Sequence, residues 1–113
     1  MTAEQRRFER VPHSVPLFWH RPEDRSERWN EAQTLNVSAS GLVMRSHALF
    51  DVGVILDLRM AMTDTSDPLF LCGRVVWHKP GGLMQYGIEF VDVTPDQQVS
   101  IEEIVQFLNK RVS

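Results

Sequence analysis

Three arginines lie close together near the start of the chain, in the stretch QRRFER. An arginine side chain carries a planar set of N–H donors that binds a phosphate, or the O6/N7 edge of guanine, through two parallel hydrogen bonds. Its flat guanidinium group also stacks on a purine ring. Arg6, Arg7 and Arg10 therefore form a candidate site for a phosphate or a guanine base, although a charged tail partly neutralised by Glu4 and Glu9 has the same composition.

A second group of small polar residues interrupts the apolar stretch TLNVSASGLVM, residues 34–44. Asn36 offers an amide that pairs with a base edge, Ser38 offers a hydroxyl for phosphate, and Gly41 permits tight backbone geometry. The same residue types are common in turns between strands, where they bind the backbone of their own loop. Taken alone, the segment fits both a ligand site and a structural turn.

The two segments, in this order, resemble the motifs of the PilZ family. That family has R-x-x-x-R near the N-terminus and [D/N]-x-S-x-x-G further along, and residues 6–10 and 36–41 match these patterns without a gap. The resemblance extends to GRVVW at residues 73–77 and YGIEF at residues 86–90, which are similar to the late strands of the family. It therefore covers nearly the whole chain.

The resemblance implies a receptor for the bacterial second messenger cyclic di-GMP, not an enzyme, which signals to an unidentified protein effector in trans. Gln5 stands where many relatives carry a further arginine, which favours one ligand per chain over a self-stacked ligand pair. Arg7 occupies a variable position of the motif. By position, two groups of residues would contact the ligand: Arg6, Arg7 and Arg10 on one side, and Asn36, Ser38 and Gly41 on the other.

Charge and composition narrow the other function classes. A formal net charge of −3 provides no overall positive field to hold a nucleic acid polymer or an anionic membrane. No apolar run approaches the ~18 residues of a membrane span, so membrane insertion is not expected. The four histidines lack the spacing of a metal pair, and a single cysteine, Cys72, excludes an intramolecular disulfide and a cysteine zinc cage. We expect no metal, no cofactor and no catalytic nucleophile, in a protein of the cytoplasm.

The apolar pattern predicts the elements that must position these groups. Short apolar segments of strand character recur along the chain, separated by polar turns such as RPEDRSER and KPGG. From Thr94 the period changes, because Thr94 and Gln97 form a capping box around Pro95 and an apolar stripe of helical spacing follows. The sequence predicts an all-β fold with one C-terminal helix, and the resemblance implies a six-stranded antiparallel split β-barrel. The expected division of the single domain 1–113 is an arm at 1–10, a barrel at 11–91 and a helix at 94–112.

The strand pattern also predicts which side chains face the core. Trp29, Trp77 and Phe90 are able to stack on bases, but their place in alternating strands favours core packing. Leu35 and Val37 share one parity and are expected on the same face of their strand. Gly73 is expected to mark a bulge or a point of close packing within its strand.

Two other function classes stay open on sequence alone. One is a nucleotide-independent PilZ adaptor in motility, pilus or secretion machinery, because some members of the family lack the arginine motif that this chain keeps. The other is a small barrel that stacks single-stranded nucleic acid on its aromatic side chains, against which the acidic net charge argues.

We expect Arg6→Ala or Arg10→Ala to remove most of the affinity for cyclic di-GMP. The fold should stay intact in both variants, because these arginines lie outside the alternating pattern of the predicted core. Calorimetric titration of each purified variant with cyclic di-GMP measures the effect. Wild-type affinity in either variant would show that the arginine does not contact the ligand.

Overall fold

The protein is described here by a computed structural model, which covers residues 16–26, 28–60 and 68–112, without the side chains of residues 108–112. The strands are β1 (Pro16–His20), β2 (Asn30–Val37), β3 (Gly41–Ser46), β4 (Ile55–Met60), β5 (Leu69–Lys79) and β6 (Met84–Val91), and the helix α1 (Pro95–Val112) follows them. All neighbouring strands are antiparallel, in the order β1-β2-β3-β6-β5-β4, and β4 pairs back onto β1.

The closed six-stranded barrel with a C-terminal helix confirms the fold class that the sequence predicted. Closure pairs every strand on both sides, so that the sheet has no unpaired edge to cover. Arg6, Arg7 and Arg10, with the rest of the expected arm, lie outside the described residues. The division of the chain into arm, barrel and helix therefore stays a prediction.

The interior of the barrel is filled by alternate residues of the strands. In β4 the side chains of Leu56, Leu58 and Met60 are buried, whereas Asp57 and Arg59 between them are only partly buried. The register of β4 against its two neighbours is regular throughout, so this strand keeps the period of two that its sequence indicates. The apolar side chains inside the barrel form one continuous core.

A buried tyrosine fastens the loop between β3 and β4 to the barrel. The Tyr86 hydroxyl donates a hydrogen bond of 2.7 Å to the carbonyl oxygen of Ala48 and accepts one of 3.1 Å from the N–H of Phe50. The rings of Tyr86 and Phe50 also pack edge to face, with centroids 5.1 Å apart. One phenol hydroxyl thus satisfies two backbone groups that have no strand partner.

The helix begins where the capping pattern predicted. The N–H of Thr94 donates to Oε1 of Gln97 at 2.9 Å, and the N–H of Gln97 donates to Oγ1 of Thr94 at 3.1 Å, which is a reciprocal capping box around Pro95. From the apolar stripe of α1, Ile101 and Ile104 are buried in the core. Within the described part of the chain, no helix combines the length and apolar character that crossing a membrane requires.

Two register shifts overturn details of the expected core. A bulge between Thr34 and Asn36 in β2 buries Thr34 and leaves Leu35 only partly buried, whereas Val37 is buried. The prediction that Leu35 and Val37 lie on the same face of the strand is therefore wrong. A second shift lies between Val75 and Trp77 in β5. An extra residue in one strand reverses the alternation beyond it.

The bulge in β5 places Trp77 on the outside of the barrel. Val75 is buried, but Val76 and Trp77 are both exposed, and 42% of the tryptophan surface is accessible. The prediction that Trp77 packs in the core is therefore wrong, whereas Phe90 is buried as expected. Gly73 is a point of close packing, because a methyl group there would overlap the side chain of Ile88.

We expect Tyr86→Phe to lower the free energy of unfolding by about 1–3 kcal/mol, because it leaves the Ala48 carbonyl and the Phe50 N–H without their partner. The ring and its packing are retained, so the change isolates the hydroxyl. Urea denaturation followed by far-UV circular dichroism measures the difference. An unchanged midpoint would show that the two hydrogen bonds contribute no net stability.

Candidate functional site

A shallow groove of about 270 Å³ lies on the outer surface of the barrel, across the strands β2, β3, β6 and β5. Asn36, Ser38 and Gly41, the three residues of the second motif, all line this groove. The arginines of the first motif lie outside the described residues, so their position relative to the groove stays a prediction. The structure thus brings together half of the predicted site.

Strand register sets the floor and the walls of the groove. Asn36 on β2 pairs with Val43 on β3, Val43 pairs with Gly87 on β6, and Gly87 pairs with Trp77 on β5. Asn36 and Trp77 therefore stand at the two ends of a row of four paired residues. The two residues between them are Val43, which has a short side chain, and Gly87, which has none. In this row Val43 lies at the bottom of the groove, and the Trp77 ring lies over Gly87.

A second row runs beside the first and depends on a close approach of two backbones. Gly41 on β3 pairs with Glu89 on β6, and Glu89 pairs with Arg74 on β5. A methyl group at Gly41 would overlap the backbone carbonyl oxygen of Ile88, which cannot swing aside as a flexible side chain does. Glycine is thus required at position 41 by the barrel itself, whatever the groove binds.

The turn between β2 and β3 uses part of its own hydrogen-bonding capacity. The N–H of Ser38 donates to the carbonyl oxygen of Gly41 at 2.8 Å, and the Ser38 hydroxyl donates to the same oxygen at 3.1 Å. The carbonyl of Ser40 accepts from the N–H of Phe90 at 2.9 Å, which ties the turn to β6. The exposed Ser38 oxygen can still accept a hydrogen bond, whereas a phosphate contact requires its proton to turn outward.

Trp77 also lines the groove, which the alternation along its strand did not predict. Its indole ring covers Gly87 so closely that a methyl group on that glycine would overlap three ring atoms. The ring is nevertheless partly exposed and faces the same groove as Asn36. A half-exposed indole beside polar groups is a surface on which a nucleobase stacks. The alternation of residues along β5 could not reveal that Trp77 faces outward, because the bulge just before this residue reverses which side chains face the core.

Glu89 lines the groove and forms an ion pair with Arg74, its neighbour on β5. Nη1 of Arg74 lies 3.7 Å from Oε1 of Glu89, and both side chains are about half exposed. An exposed pair at this separation contributes under about 1 kcal/mol to stability, because solvent screens the charges and the distance exceeds that of a good hydrogen bond. The pair can therefore open at little cost when a charged ligand arrives.

Other chemistry finds little support in the described residues. Burial raises the pKa of the Cys72 thiol, and the neighbouring Asp57 carboxylate, 3.6 Å from the sulfur, raises it further. A raised pKa keeps the thiol protonated at neutral pH, so Cys72 is not an activated nucleophile. Among residues 16–26, 28–60 and 68–112, no three acidic, histidine or cysteine side chains converge as a metal site would require.

Comparison with protein families finds a family model that matches nearly the whole chain. The family described as PilZ domain matches residues 4–109, which include both motifs and the whole barrel. The chain belongs to the PilZ domain family. Comparison with curated proteins finds no match.

Solved structures of PilZ domains are similar to the barrel at low sequence identity. The PilZ domain of YcgR from Escherichia coli, solved with cyclic di-GMP, has a TM-score of 0.72 at 10% identity over 93% of this chain and 89% of that one. The PilZ domain of CeSA from a cellulose-synthesising bacterium has a TM-score of 0.64 at 16% identity over 86% and 94% of the two chains.

A third similar structure is larger than this protein. The inhibitor of motility MotI/DgrA from Bacillus subtilis has a TM-score of 0.68 at 13% identity over 88% of this chain. The aligned region is 47% of that protein, so this PilZ domain spans about half the length of the motility inhibitor. At these identities the three likenesses show the shared fold.

We expect Gly87→Ala to displace the Trp77 ring, because the added methyl group overlaps a side chain that is able to move. The indole N–H resonance of Trp77, assigned with Trp77→Phe, should shift in the ¹H–¹⁵N NMR spectrum. Gly82→Ala is the matched control, since nothing lies within 4 Å of a methyl group there. An indole resonance that stays in place in Gly87→Ala would contradict the described contact.

Proposed function

We propose that this PilZ domain is a receptor for cyclic di-GMP, not an enzyme, and that the groove on β2, β3, β6 and β5 is its binding site. The observation that carries the proposal is the meeting of Asn36, Ser38 and Gly41 with Trp77 around one groove. The similar PilZ domain of YcgR was solved with this ligand, which supports the choice of nucleotide. The receptor acts in the cytoplasm of a bacterium on a protein effector in trans.

Each side chain of the groove has a role that the ligand's chemistry requires. Trp77 stacks on a guanine base, an interaction worth about 1–3 kcal/mol per base. The amide of Asn36 pairs with a base edge, and the hydroxyl of Ser38 forms a hydrogen bond with a phosphate of the ligand. Gly41 keeps the backbone low enough for the ligand to approach. These contacts are polar and aromatic, as recognition of a purine nucleotide demands.

The arginine segment completes the site in this proposal. The groove, at about 270 Å³, is smaller than the roughly 300–1,000 Å³ of most small-molecule pockets, so it holds only part of a cyclic dinucleotide. Arg6 and Arg10 bind the guanine edges and the phosphates that remain outside the groove, with Arg7 beside them. Each charge-assisted hydrogen bond contributes about 1.5–3 kcal/mol, which offsets the entropy lost by the ordered segment.

The register of β1 supports this arrangement. Pro16 pairs with Gln33, and the two strands are antiparallel, so the chain enters β1 from the end of β2 that carries Asn36. Asn36 lies three residues beyond Gln33, roughly 10 Å along the strand. Arg10 precedes Pro16 by six residues, a length that can extend to about 20 Å. The arginine segment is therefore long enough to reach the groove.

A nucleotide-independent adaptor is the second candidate. The observation in its favour is the similarity of the barrel to a protein from Bacillus subtilis that is named as an inhibitor of motility. Retention of both binding motifs favours the receptor. The two candidates differ in one measurable property, because the adaptor binds its partner without cyclic di-GMP.

Calorimetric titration with cyclic di-GMP, and with GTP and GMP as controls, tests the proposal. We expect selective binding of cyclic di-GMP with one ligand per chain. Trp77→Ala should weaken binding roughly 10-fold or more through the lost stacking. Phe70→Ala is the matched control, since Phe70 is an aromatic residue with 52% of its surface exposed that does not line the groove.

Two results would contradict the proposal of a cyclic di-GMP receptor that binds in the groove. Absence of heat and of any NMR shift at saturating cyclic di-GMP would leave the adaptor as the better account. Equal loss of affinity in Trp77→Ala and Phe70→Ala would show that the ligand is not bound in the groove.

A further inference from the structure

One carboxylate in the groove belongs to neither binding motif. We propose that Glu89 reads the guanine base, accepting hydrogen bonds from its N1–H and N2–H groups, and so selects guanine over adenine. This inference rests on the proposed function, because it assigns a role within the same groove. It adds a specificity-determining residue to the site.

The place of Glu89 in the barrel directs its side chain to the outer surface. It lies two residues after Gly87 on β6, so both positions face the same side of the sheet. Gly87 is the position covered by the Trp77 ring, and Glu89 lines the groove beside it. A base stacked on the indole would therefore have this carboxylate within reach of its edge.

The neighbours of Glu89 leave room on the side of the motif residues. On β3 its partner is Gly41, which has no side chain, and on β5 its partner is Arg74. The glutamate side chain is 55% exposed, and it makes one ion pair with Arg74 at 3.7 Å among the residues that the structure describes. This pair is too long and too exposed to hold the carboxylate tightly.

The chemistry of a carboxylate matches guanine and opposes adenine. An ionised carboxylate only accepts hydrogen bonds, and guanine presents two N–H donors on adjacent atoms of its pairing edge. Adenine presents an unprotonated ring nitrogen at the equivalent position, which the carboxylate would repel. The amide of Asn36 carries one acceptor and one donor group and no charge, so it discriminates less strongly between the two bases.

Arg74 makes the carboxylate compatible with an anionic ligand. A lone negative charge beside two phosphates would oppose binding, whereas the guanidinium 3.7 Å away offsets that charge. The pair is exposed, so its removal should change the stability of the barrel little. Substitutions at either position are therefore suitable for binding measurements.

The test compares the affinities of two probes, cyclic di-GMP and cyclic di-AMP, for the wild-type protein and for Glu89→Gln. We expect the wild-type protein to prefer cyclic di-GMP. In Glu89→Gln the affinity for cyclic di-GMP should fall roughly 10-fold or more, while that for cyclic di-AMP does not fall, so the preference narrows. Equal thermal unfolding midpoints for the two proteins would show that the fold is unchanged.

Two matched variants separate the role of Glu89 from a general effect of charge. Glu102→Gln removes the same charge from an exposed position on α1 and should leave both affinities unchanged. Arg74→Gln removes the partner of Glu89. It should lower the affinity for both ligands and keep the preference for cyclic di-GMP.

Each other outcome overturns a defined part of the account. Wild-type selectivity in Glu89→Gln, with binding intact, would reject the role of Glu89 and leave the receptor standing. An equal loss of affinity for both ligands in Glu89→Gln would show that Glu89 acts only as part of the ion pair. The same change of preference in Arg74→Gln as in Glu89→Gln would show this too. A wild-type protein that binds neither probe would reject the receptor and, with it, the inference.

Discussion

The close contact between the backbones of β3 and β6 is the constraint on which the groove depends. Gly41 lies directly against the carbonyl of Ile88, and the hydrogen bond from Phe90 to Ser40 holds the preceding turn in the same place. No side chain stands between Glu89 and the turn, since the paired residue is glycine. A structural requirement of the barrel thus produces an open, low surface on its outside, flanked by groups able to bind a ligand.

The two sides of the groove follow from local irregularities in the outer strands. Asn36 and Trp77 each stand at the end of a bulge, one in β2 and one in β5, while the strands between them pair regularly. Bulges redirect side chains and are common next to binding sites. In this barrel they turn two residues toward a floor made by β3 and β6. A regular sheet with the same sequence would have placed Trp77 inside.

The difference between regular and irregular pairing also explains what the sequence could predict. The regular alternation in β4 and the capping box of Thr94 and Gln97 both depend on residues that are neighbours in the sequence, and the capping box was predicted correctly. A bulge depends on the partner strand as well, so the exposure of Trp77 and the burial of Thr34 could not be read from one strand alone. The three residues of the second motif line one groove because they are close in sequence. Glu89 and Arg74 come from other strands, and only register brings them to the same surface.

A ¹H–¹⁵N NMR titration of the protein with cyclic di-GMP tests the central claim most directly, because it reports where on the barrel the ligand lies. The account predicts that the largest shifts fall on the Trp77 indole and on the amides of Gly41, Gly87 and Glu89, with little change at Phe70, which lies near the start of β5 and does not line the groove. Shifts centred on Phe70 and its neighbours, with the groove resonances unmoved at saturation, would contradict it.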